Sequence, residues 1–347
     1  MGENRQLRRL GFLTIGLFDP ANPAAGHETT LEIIELGERL GFSSAWVRQR
    51  HLQFGISSPV AVLAAASQRT TRIELGTAVI PIGPENPLRL AEDLATVDVL
   101  SGGRLNPGLS TGTPIHYEDY KLALYPDTWE VEDFGYRRLE RLIGFIRGDR
   151  ASAFSGRDGI VEEFSERVEP HADGLVNRIW YGAGSFRSVE WAAEHGLNLL
   201  TSNVIRDGEA FDHDFDRVQA AQIERFRELH PAGQQARVSQ GLVVIPTDSA
   251  TATQRDKYRA YAEERNQRVG VPHGPAGMLF ARDLVGTSEE IAGQLLQNAA
   301  FRQVEEVAFA LPFSFEHEDY VQILHDIAGS LGPLLGWSPA EATAAQP

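Results

Sequence analysis

Short apolar runs alternate along the chain with longer amphipathic runs, and this alternation restricts the fold more than any other feature of the sequence. Many of the short runs are apolar at consecutive positions, as in Val79-Ile80, which is typical of parallel strands buried on both faces. The predicted strands cover residues 10–18, 44–49, 72–82, 104–111, 178–184, 197–203, 237–246 and 304–311.

A helical pattern follows each predicted strand. It is clearest in residues 29–40, where Leu31, Ile34 and Leu40 recur near helical spacing and Gly41 ends the run. The other predicted helices cover residues 59–68, 88–100, 134–147, 186–194, 215–229, 288–301 and 319–335.

Eight strand–helix units can form a closed barrel or an open doubly wound sheet. A chain of 347 residues allows roughly 40 residues for each unit, which favours a (β/α)8 TIM barrel. An open dinucleotide-binding sheet needs Gly-x-Gly-x-x-Gly after its first strand, and residues 18–24 lack this motif. The sequence therefore predicts an α/β fold of the (β/α)8 class, with residues 1–337 as a single domain and residues 338–347 as a flexible tail.

Two connections are longer than the others, so we expect insertions after strands 4 and 7. Residues 150–177 are polar and are predicted to hold a short hairpin. Residues 247–286 contain a charged helix, predicted at 251–268, and then a run rich in glycine and proline. Because long loops at a barrel mouth often act as lids, residues 247–286 are interpreted as a lid, with a solvated loop as the alternative.

Composition excludes several classes of protein. The net charge of −16 disfavours nucleic acid and anionic membranes as partners. The absence of cysteine excludes disulfides, thiolate metal sites and cysteine nucleophiles. No apolar run reaches the ~18 residues of a membrane span, so a cytoplasmic protein is expected. The histidines near acidic residues, such as His213 and His317, lack the paired spacing of zinc enzymes, and no metal is expected.

Polar and basic residues follow the second predicted strand, in the order Arg48-Gln49-Arg50-His51. Barrel enzymes carry their chemistry at the carboxyl ends of the strands. We interpret this segment as a wall that faces an anionic ligand, and a surface ion-pair cluster is the alternative.

The third, fourth and fifth strands end in small or hydroxyl-bearing residues. Gly76-Thr77-Ala78-Val79 permits close approach of a planar ligand, although packing also explains it. Ser110 and Thr111 end the fourth strand. After the fifth, residues 182–188 combine Gly184 with Ser185 and Ser188 at a helix start, which suits a phosphate; simple N-capping is the alternative.

Several stretches, in order over nearly the whole chain, together resemble the bacterial luciferase-like flavin-dependent monooxygenase family. No one of these stretches is decisive, but the ordered set is specific. The stretches are residues 41–47, 72–79, 86–93, 100–105, 190–196 and 284–292.

The resemblance implies a flavin lying across the barrel mouth. It places a non-proline cis peptide at Ala78-Val79, against which the flavin ring packs. Ser110 matches the family position near the reactive flavin carbon, and Thr111 follows it. The remaining implied flavin contacts are Tyr136 or Arg137 at the start of the fourth helix, and Gly184, Ser185 and Ser188 around the phosphate.

The end of the second strand departs from the family. Luciferases have Glu-His-His where this chain has Gln49-Arg50-His51, so we expect neither luminescence nor an aldehyde substrate. The catalytic residues implied are Arg50, which holds an anionic substrate or a charged flavin, and His51, which transfers protons.

The predicted reaction is oxidation of a small organic substrate by O2 and reduced FMN. The FMN is reduced by NAD(P)H or supplied by a flavin reductase, and the protein is expected to be a homodimer or homotetramer. Two alternatives stay open: hydride transfer with the deazaflavin F420, and a non-catalytic flavin-binding relative.

Overall fold

A computed structural model describes residues 6–206 and 211–339 of the chain. Its main feature is a ten-stranded parallel sheet, accompanied by three two-stranded sheets. The strands are β1 (Arg9–Thr14), β2 (Ser44–Val47), β3 (Glu74–Thr77), β4 (Ile80–Pro81), β5 (Leu105–Asn106), β6 (Gly108–Ser110), β7 (Gly156–Asp158), β8 (Glu162–Phe164), β9 (Trp180–Gly182), β10 (Asn198–Thr201), β11 (Val204–Arg206), β12 (Val238–Gln240), β13 (Val244–Pro246), β14 (Met278–Phe280), β15 (Leu284–Gly286) and β16 (Glu306–Ala310).

The strand order in the main sheet is β4-β6-β9-β10-β12-β16-β1-β2-β3-β5. The pairs β3–β5 and β4–β6 are both parallel. β3 and β4 belong to one continuous segment of the chain, and β5 and β6 belong to another. These same two segments therefore pair with each other at both ends of the strand order. The prediction of an α/β fold built on a parallel sheet is confirmed.

Helices connect the strands of this sheet, except where β3 continues into β4 and β5 continues into β6. They are α1 (Pro23–Arg39), α2 (Pro59–Ser67), α3 (Pro87–Leu100), α4 (Tyr117–Leu124), α5 (Tyr136–Arg147), α6 (Phe186–Glu194), α7 (Phe215–Leu229), α8 (Ala252–Asn266), α9 (Ser288–Gln297), α10 (His317–Asp326) and α11 (Gly332–Leu334). Helix α1 begins six residues before the predicted start because Asn22 caps it, accepting a hydrogen bond from the Ala25 N–H, and Pro23 fills its first position.

Three predicted strands are interrupted in the structure. The third is divided at Ala78 and Val79, and the fourth at Pro107, which has no N–H to donate to a neighbouring strand. The seventh is divided around Gly241, and its second half, β13, leaves the main sheet to pair with β15, a strand the sequence did not predict.

The two long connections contain regular structure. The antiparallel hairpin β7–β8 lies within residues 150–177. In residues 247–286, α8 occupies most of the predicted charged helix, and β14 pairs antiparallel with β11. Of the predicted flexible tail, residues 340–347 lie outside the described residues.

Two buried indoles, Trp46 on β2 and Trp180 on β9, form the centre of a small cluster. Trp46 and Trp180 meet edge to face with ring centroids 5.5 Å apart, and Leu200 and Ala308 complete their cluster. A Cβ atom on Gly76 would come within 2.2 Å of the Trp46 ring, so the third strand can pass this indole only because it has glycine there.

Two ion pairs lie at the amino ends of the strands. Arg9 contacts Glu74 at 2.6 Å, and Arg237 contacts the buried Glu306 at 2.9 Å. The Arg237 guanidinium also lies 4.7 Å from the centroid of the Trp180 ring. This network covers the interior cluster at the end opposite to the polar strand ends described next.

Candidate functional site

The site is built at the carboxyl ends of the parallel strands, above the interior indoles. Leu13, Ala78 and Val79 pack onto the cluster of Trp46 and Trp180. The Ala78-Val79 peptide bond is cis, which confirms the geometry that the family resemblance predicts. A Cβ atom on Gly182 would lie 2.7 Å from the Val79 side chain, so glycine at the end of β9 leaves room for this small apolar floor.

Hydroxyl groups line one side of the floor. Ser110 and Thr111 are half-buried at the end of β6. The Thr111 hydroxyl lies 2.8 Å from the phenolic oxygen of the buried Tyr181 on β9. Burial raises the pKa of the Tyr181 phenol above its ordinary value, so this group stays protonated and can donate a hydrogen bond.

Aromatic rings support this wall from behind. Tyr136 stacks on Trp191 with a centroid distance of 4.3 Å, and its ring lies 6.3 Å from that of Tyr181. Arg137, the alternative flavin contact from the sequence, is exposed and lines a separate depression beside Glu140 on α5. The structure therefore brings Tyr136, rather than Arg137, to the hydroxyl wall.

Ser110 lies in the sequence Gly108-Leu109-Ser110-Thr111-Gly112, which matches the Gly-x-Ser-x-Gly motif of serine hydrolases. In those enzymes the serine stands on a sharp turn between a strand and a helix, and a histidine activates it. Here the next helix begins only at Tyr117, and no histidine among the described residues bonds to Ser110. The arrangement does not support a nucleophilic serine.

Ser185 and Ser188 form a reciprocal cap at the start of α6. The Ser185 N–H donates to the Ser188 hydroxyl at 3.0 Å, and the two hydroxyl oxygens lie 2.9 Å apart. The N–H groups of the first helical turn have no acceptor within the helix. A Cβ atom on Gly184 would find no neighbour closer than 3.5 Å. The turn thus provides two hydroxyl groups, free backbone N–H groups and space for an anion. The same hydroxyl groups also cap the helix.

Gln49 connects the polar side chains at the end of the second strand. The sequence did not predict this role of Gln49. Its buried side chain donates from Nε2 to the Glu85 carboxylate at 2.7 Å and lies 3.3 Å from His51 Nε2. If Gln49 donates in the second contact, the His51 proton resides on Nδ1. Glu85 follows the third strand, which neighbours the second. Because both residues follow neighbouring strands, their positions in the sequence were the one indication that they could contact each other.

Arg50 is half-buried beside this network. Its backbone N–H donates to the Ile56 carbonyl at 2.9 Å, which closes the loop after β2. Burial lowers the pKa of its guanidinium, and no carboxylate among the described residues pairs with it. The surface ion-pair cluster that was the alternative interpretation does not include Arg50.

The predicted lid is held in place on both sides of residues 270–277, by α8 before them and after them by the pairing of β14 with β11 and of β15 with β13. Tyr258 of α8 is fully buried and donates to Asp319 at 3.0 Å, and Arg265 pairs with the buried Asp283. Residues 270–277, rich in glycine and proline, are largely exposed. Movement of this segment stays a prediction.

Two further features bear on the class of protein. Among residues 6–206 and 211–339, no three His, Asp or Glu side chains form a group that could hold a metal ion. In the same part of the chain, no helix has the length and apolarity needed to cross a membrane.

A family model described as luciferase-like monooxygenase matches residues 9–303, which include the strand ends from β1 to β12. The chain belongs to this family. The resemblance inferred from the sequence motifs is therefore confirmed.

Among curated luciferase-like proteins, the alkanal monooxygenase alpha chain of Photobacterium leiognathi is 28% identical over 214 residues, which cover 60% of this chain and 56% of that protein. The chain thus matches about half the length of this relative.

Solved structures of other proteins share the fold over nearly the whole chain. The oxygenating constituent of 3,6-diketocamphane monooxygenase from Pseudomonas putida, in complex with FMN, has a TM-score of 0.62 at 13% identity and covers 94% of this chain and 98% of its own. The coenzyme F420-dependent tetrahydromethanopterin reductase of Methanopyrus kandleri has a TM-score of 0.59 at 15% identity, covering 94% and 99%. At these identities the likeness concerns the fold.

Proposed function

We propose that this protein is a monooxygenase that uses reduced FMN and O2 to oxidise a small organic substrate. The observation that carries the proposal is the family match through residues 9–303, because it spans the strand ends that form most of the site. When bound, reduced flavin supplies the electrons and activates O2. The protein's part is to bind and orient the ring, to exclude water and to handle protons.

The residues at the strand ends fit a flavin. Ala78 and Val79 would support the ring from below, since they form a small apolar floor with no polar side chain. Ser110, Thr111 and Tyr181 would offer hydroxyl groups to its polar edge, with Tyr136 packed behind them.

The flavin phosphate would bind where α6 begins. Gly184, Ser185 and Ser188 surround this helix start, whose N–H groups and dipole favour an anion. An arriving phosphate would accept hydrogen bonds from hydroxyls that are now bonded to each other at 2.9 Å.

His51 would carry protons to and from the substrate. Its contact with Gln49, which is in turn held by Glu85, fixes the ring orientation and one tautomer. Gln49 is therefore a positioning residue in this proposal, and His51 the catalytic acid or base.

The second candidate is hydride transfer with F420 in the same site. What favours it is the fold shared with an F420-dependent reductase. We also propose that the sheet closes as a (β/α)8 barrel with insertions after strands 4 and 7, in one domain of residues 1–337. A homodimer or homotetramer in the cytoplasm, served by a flavin reductase, completes the proposal.

The test is titration of the purified protein with FMN and with F420, followed by optical spectra and fluorescence. We expect FMN to bind, and formation of the oxidised substrate to require the protein, O2, NAD(P)H and a flavin reductase. Binding of F420 alone, with substrate-dependent hydride transfer in the absence of O2, would replace the monooxygenase with the second candidate. Flavin binding without turnover on any substrate would indicate a non-catalytic relative.

A further inference from the structure

We propose that the substrate is an organic acid, whose carboxylate binds Arg50 and whose apolar body rests on a rim formed by Leu17, Phe18, Leu52 and Phe54. The inference rests on the proposed function, because it names the substrate class of the same site. It starts from two arginines that follow β2, Arg48 and Arg50, with Gln49 between them.

Most other partly buried arginines among the described residues bind a carboxylate or backbone carbonyls. Arg9, Arg138, Arg178, Arg237 and Arg265 each bind a carboxylate. Arg268 differs from them, since its guanidinium lies 4.0 Å from the centroid of the Phe280 ring and forms no salt bridge within the described part of the chain.

Arg104 has no such salt bridge, but its guanidinium donates to four backbone carbonyls and to the Thr70 hydroxyl. Within the described residues, neither Arg48 nor Arg50 has a side-chain hydrogen bond or ion pair, although both are half-buried.

The contrast is informative because acidic residues are abundant. The chain has 48 aspartates and glutamates against 32 lysines and arginines, so carboxylates outnumber potential partners. The carboxylate that reaches this strand end, Glu85, accepts a hydrogen bond from Gln49 instead. A permanently charged guanidinium that is partly desolvated and unpaired is a site for an external anion.

The flavin phosphate is a different anion. Its proposed site follows β9, whereas Arg50 follows β2, and in the strand order β10, β12, β16 and β1 lie between these two strands. Arg50 is therefore available to a second anionic group, and the substrate is the remaining ligand of the reaction.

Exposed apolar side chains follow Arg50 in the sequence, so the anion that binds Arg50 is expected to carry an apolar group. Leu52 and Phe54 are 84% and 63% exposed, and both lie within four residues of Arg50. The Phe18 ring lies 6.3 Å from the Phe54 ring, and Leu17 is 38% exposed beside Gly55. Leu52 also has φ of 56°, a left-handed conformation that is uncommon for leucine and that occurs at binding sites.

The experiment measures binding to the flavin-free protein by isothermal titration calorimetry. The probes are two matched pairs, benzoate with benzamide and octanoate with octanamide, which separate the charge from the shape of the body. We expect the acids to bind more tightly than the amides. Arg50→Gln should weaken acid binding roughly 10–100-fold, and Arg50→Lys should weaken it less. Leu52→Ser and Phe54→Ser should weaken acids and amides alike.

Arg39→Gln is the matched control, because Arg39 is an exposed arginine on α1 with one weak ion pair to Glu35. It should leave acid binding unchanged, and circular dichroism should show that all variants fold. Equal binding of acids and amides, or equal effects of the Arg50 and Arg39 variants, would overturn the proposal. If Arg50→Gln weakens FMN binding but not acid binding, Arg50 belongs to the flavin site. If acids bind through Arg50 but FMN does not bind at all, the proposed monooxygenase fails while the anion site stands.

Discussion

The phenolic oxygen of Tyr181 lies 2.8 Å from the hydroxyl oxygen of Thr111, so a hydrogen bond joins the end of β9 to the residue that follows β6. These two strands are neighbours in the sheet. Because Tyr181 is buried and its phenol stays neutral, the bond restrains both side chains and links the two strands.

The first prediction concerns this bond. In a double-mutant cycle of Tyr181→Phe and Thr111→Val, the free energies of unfolding should show a coupling of about 0.5–1.5 kcal/mol, as expected for a neutral hydrogen bond. Chemical denaturation provides the measurement. Tyr117→Phe, which removes a phenol bonded to the Trp129 carbonyl, should combine additively with Thr111→Val. A coupling of zero between Tyr181 and Thr111 would mean that each hydroxyl is satisfied by water.

The second prediction tests the phosphate site. Replacing both Ser185 and Ser188 by alanine should weaken FMN binding by about 1–3 kcal/mol, the range for lost hydrogen bonds to a charged group. Fluorescence titration with FMN measures the change. Thr287→Ala is the control, because it removes a similar cap from α9 and should cost stability without changing FMN affinity. Unchanged FMN affinity in the serine variant would place the phosphate elsewhere.

The third prediction separates chemistry from binding at His51. His51→Ala should lower kcat by about 10²–10⁴-fold, the usual range for loss of a general acid or base, with little effect on FMN affinity. Steady-state kinetics with the identified substrate and FMN titration are the two measurements. His325→Ala, at an exposed position on α10, should change neither. Full turnover of His51→Ala would show that the histidine is structural.

The fourth prediction links stability to pH through Glu38. Burial opposes ionisation of this carboxylate, but hydrogen bonds from the N–H groups of Ile73, Arg72 and Thr71 outweigh it and lower its pKa below 4.5. A lowered pKa in the folded state contributes stability above pH 4.5, and this contribution is lost as the pH falls through the lower, folded-state pKa.

Glu38→Gln should therefore reduce the free energy of unfolding by about 1–2 kcal/mol at pH 7, from the weaker hydrogen bonds of a neutral amide. The difference from the wild type should shrink as the pH falls below 4.5. Denaturation at a series of pH values tests this, with the exposed Glu263→Gln as control. A difference that is the same at all pH values would contradict the assigned role.

The fifth prediction concerns residues 247–286. Amide hydrogen exchange should be fast in 270–277 and slow in α8, since Tyr258 and Arg265 anchor that helix. Addition of FMN and substrate should slow exchange in 270–277 if the segment closes over the site. Equal exchange with and without ligands would identify a solvated loop, and peptides from β1 serve as the internal reference.

The sequence predicted the fold well because its signals are local and repeated. Apolar runs such as Val79-Ile80 recur along the chain, and several helices, such as α1 and α3, begin at a side-chain cap, so many elements are specified by their own residues. It did not predict β15, because this strand pairs with β13 outside the main sheet, and such pairing depends on distant contacts. Helix α1 starts before the predicted position because the Asn22 cap and Pro23 precede the residues that show apolar helical spacing.

At the site, the sequence predicted which strand ends carry polar groups but not how they bond to one another. The Gln49–Glu85 hydrogen bond joins residues 36 positions apart, and the Thr111–Tyr181 bond joins residues 70 apart. Periodicity contains no information on such pairs. The choice between Tyr136 and Arg137 likewise required knowing which side of α5 faces the sheet.

Gly76 and Trp46 also limit how this protein can change during evolution. A methyl group at Gly76 would collide with the indole at 2.2 Å, so substitutions at these two buried positions must occur together. New specificities should then arise through substitutions in the loop around Leu52, where Leu52 and Phe54 are exposed. For a directed-evolution library, this means randomising residues 48–54 and leaving the strand interiors untouched.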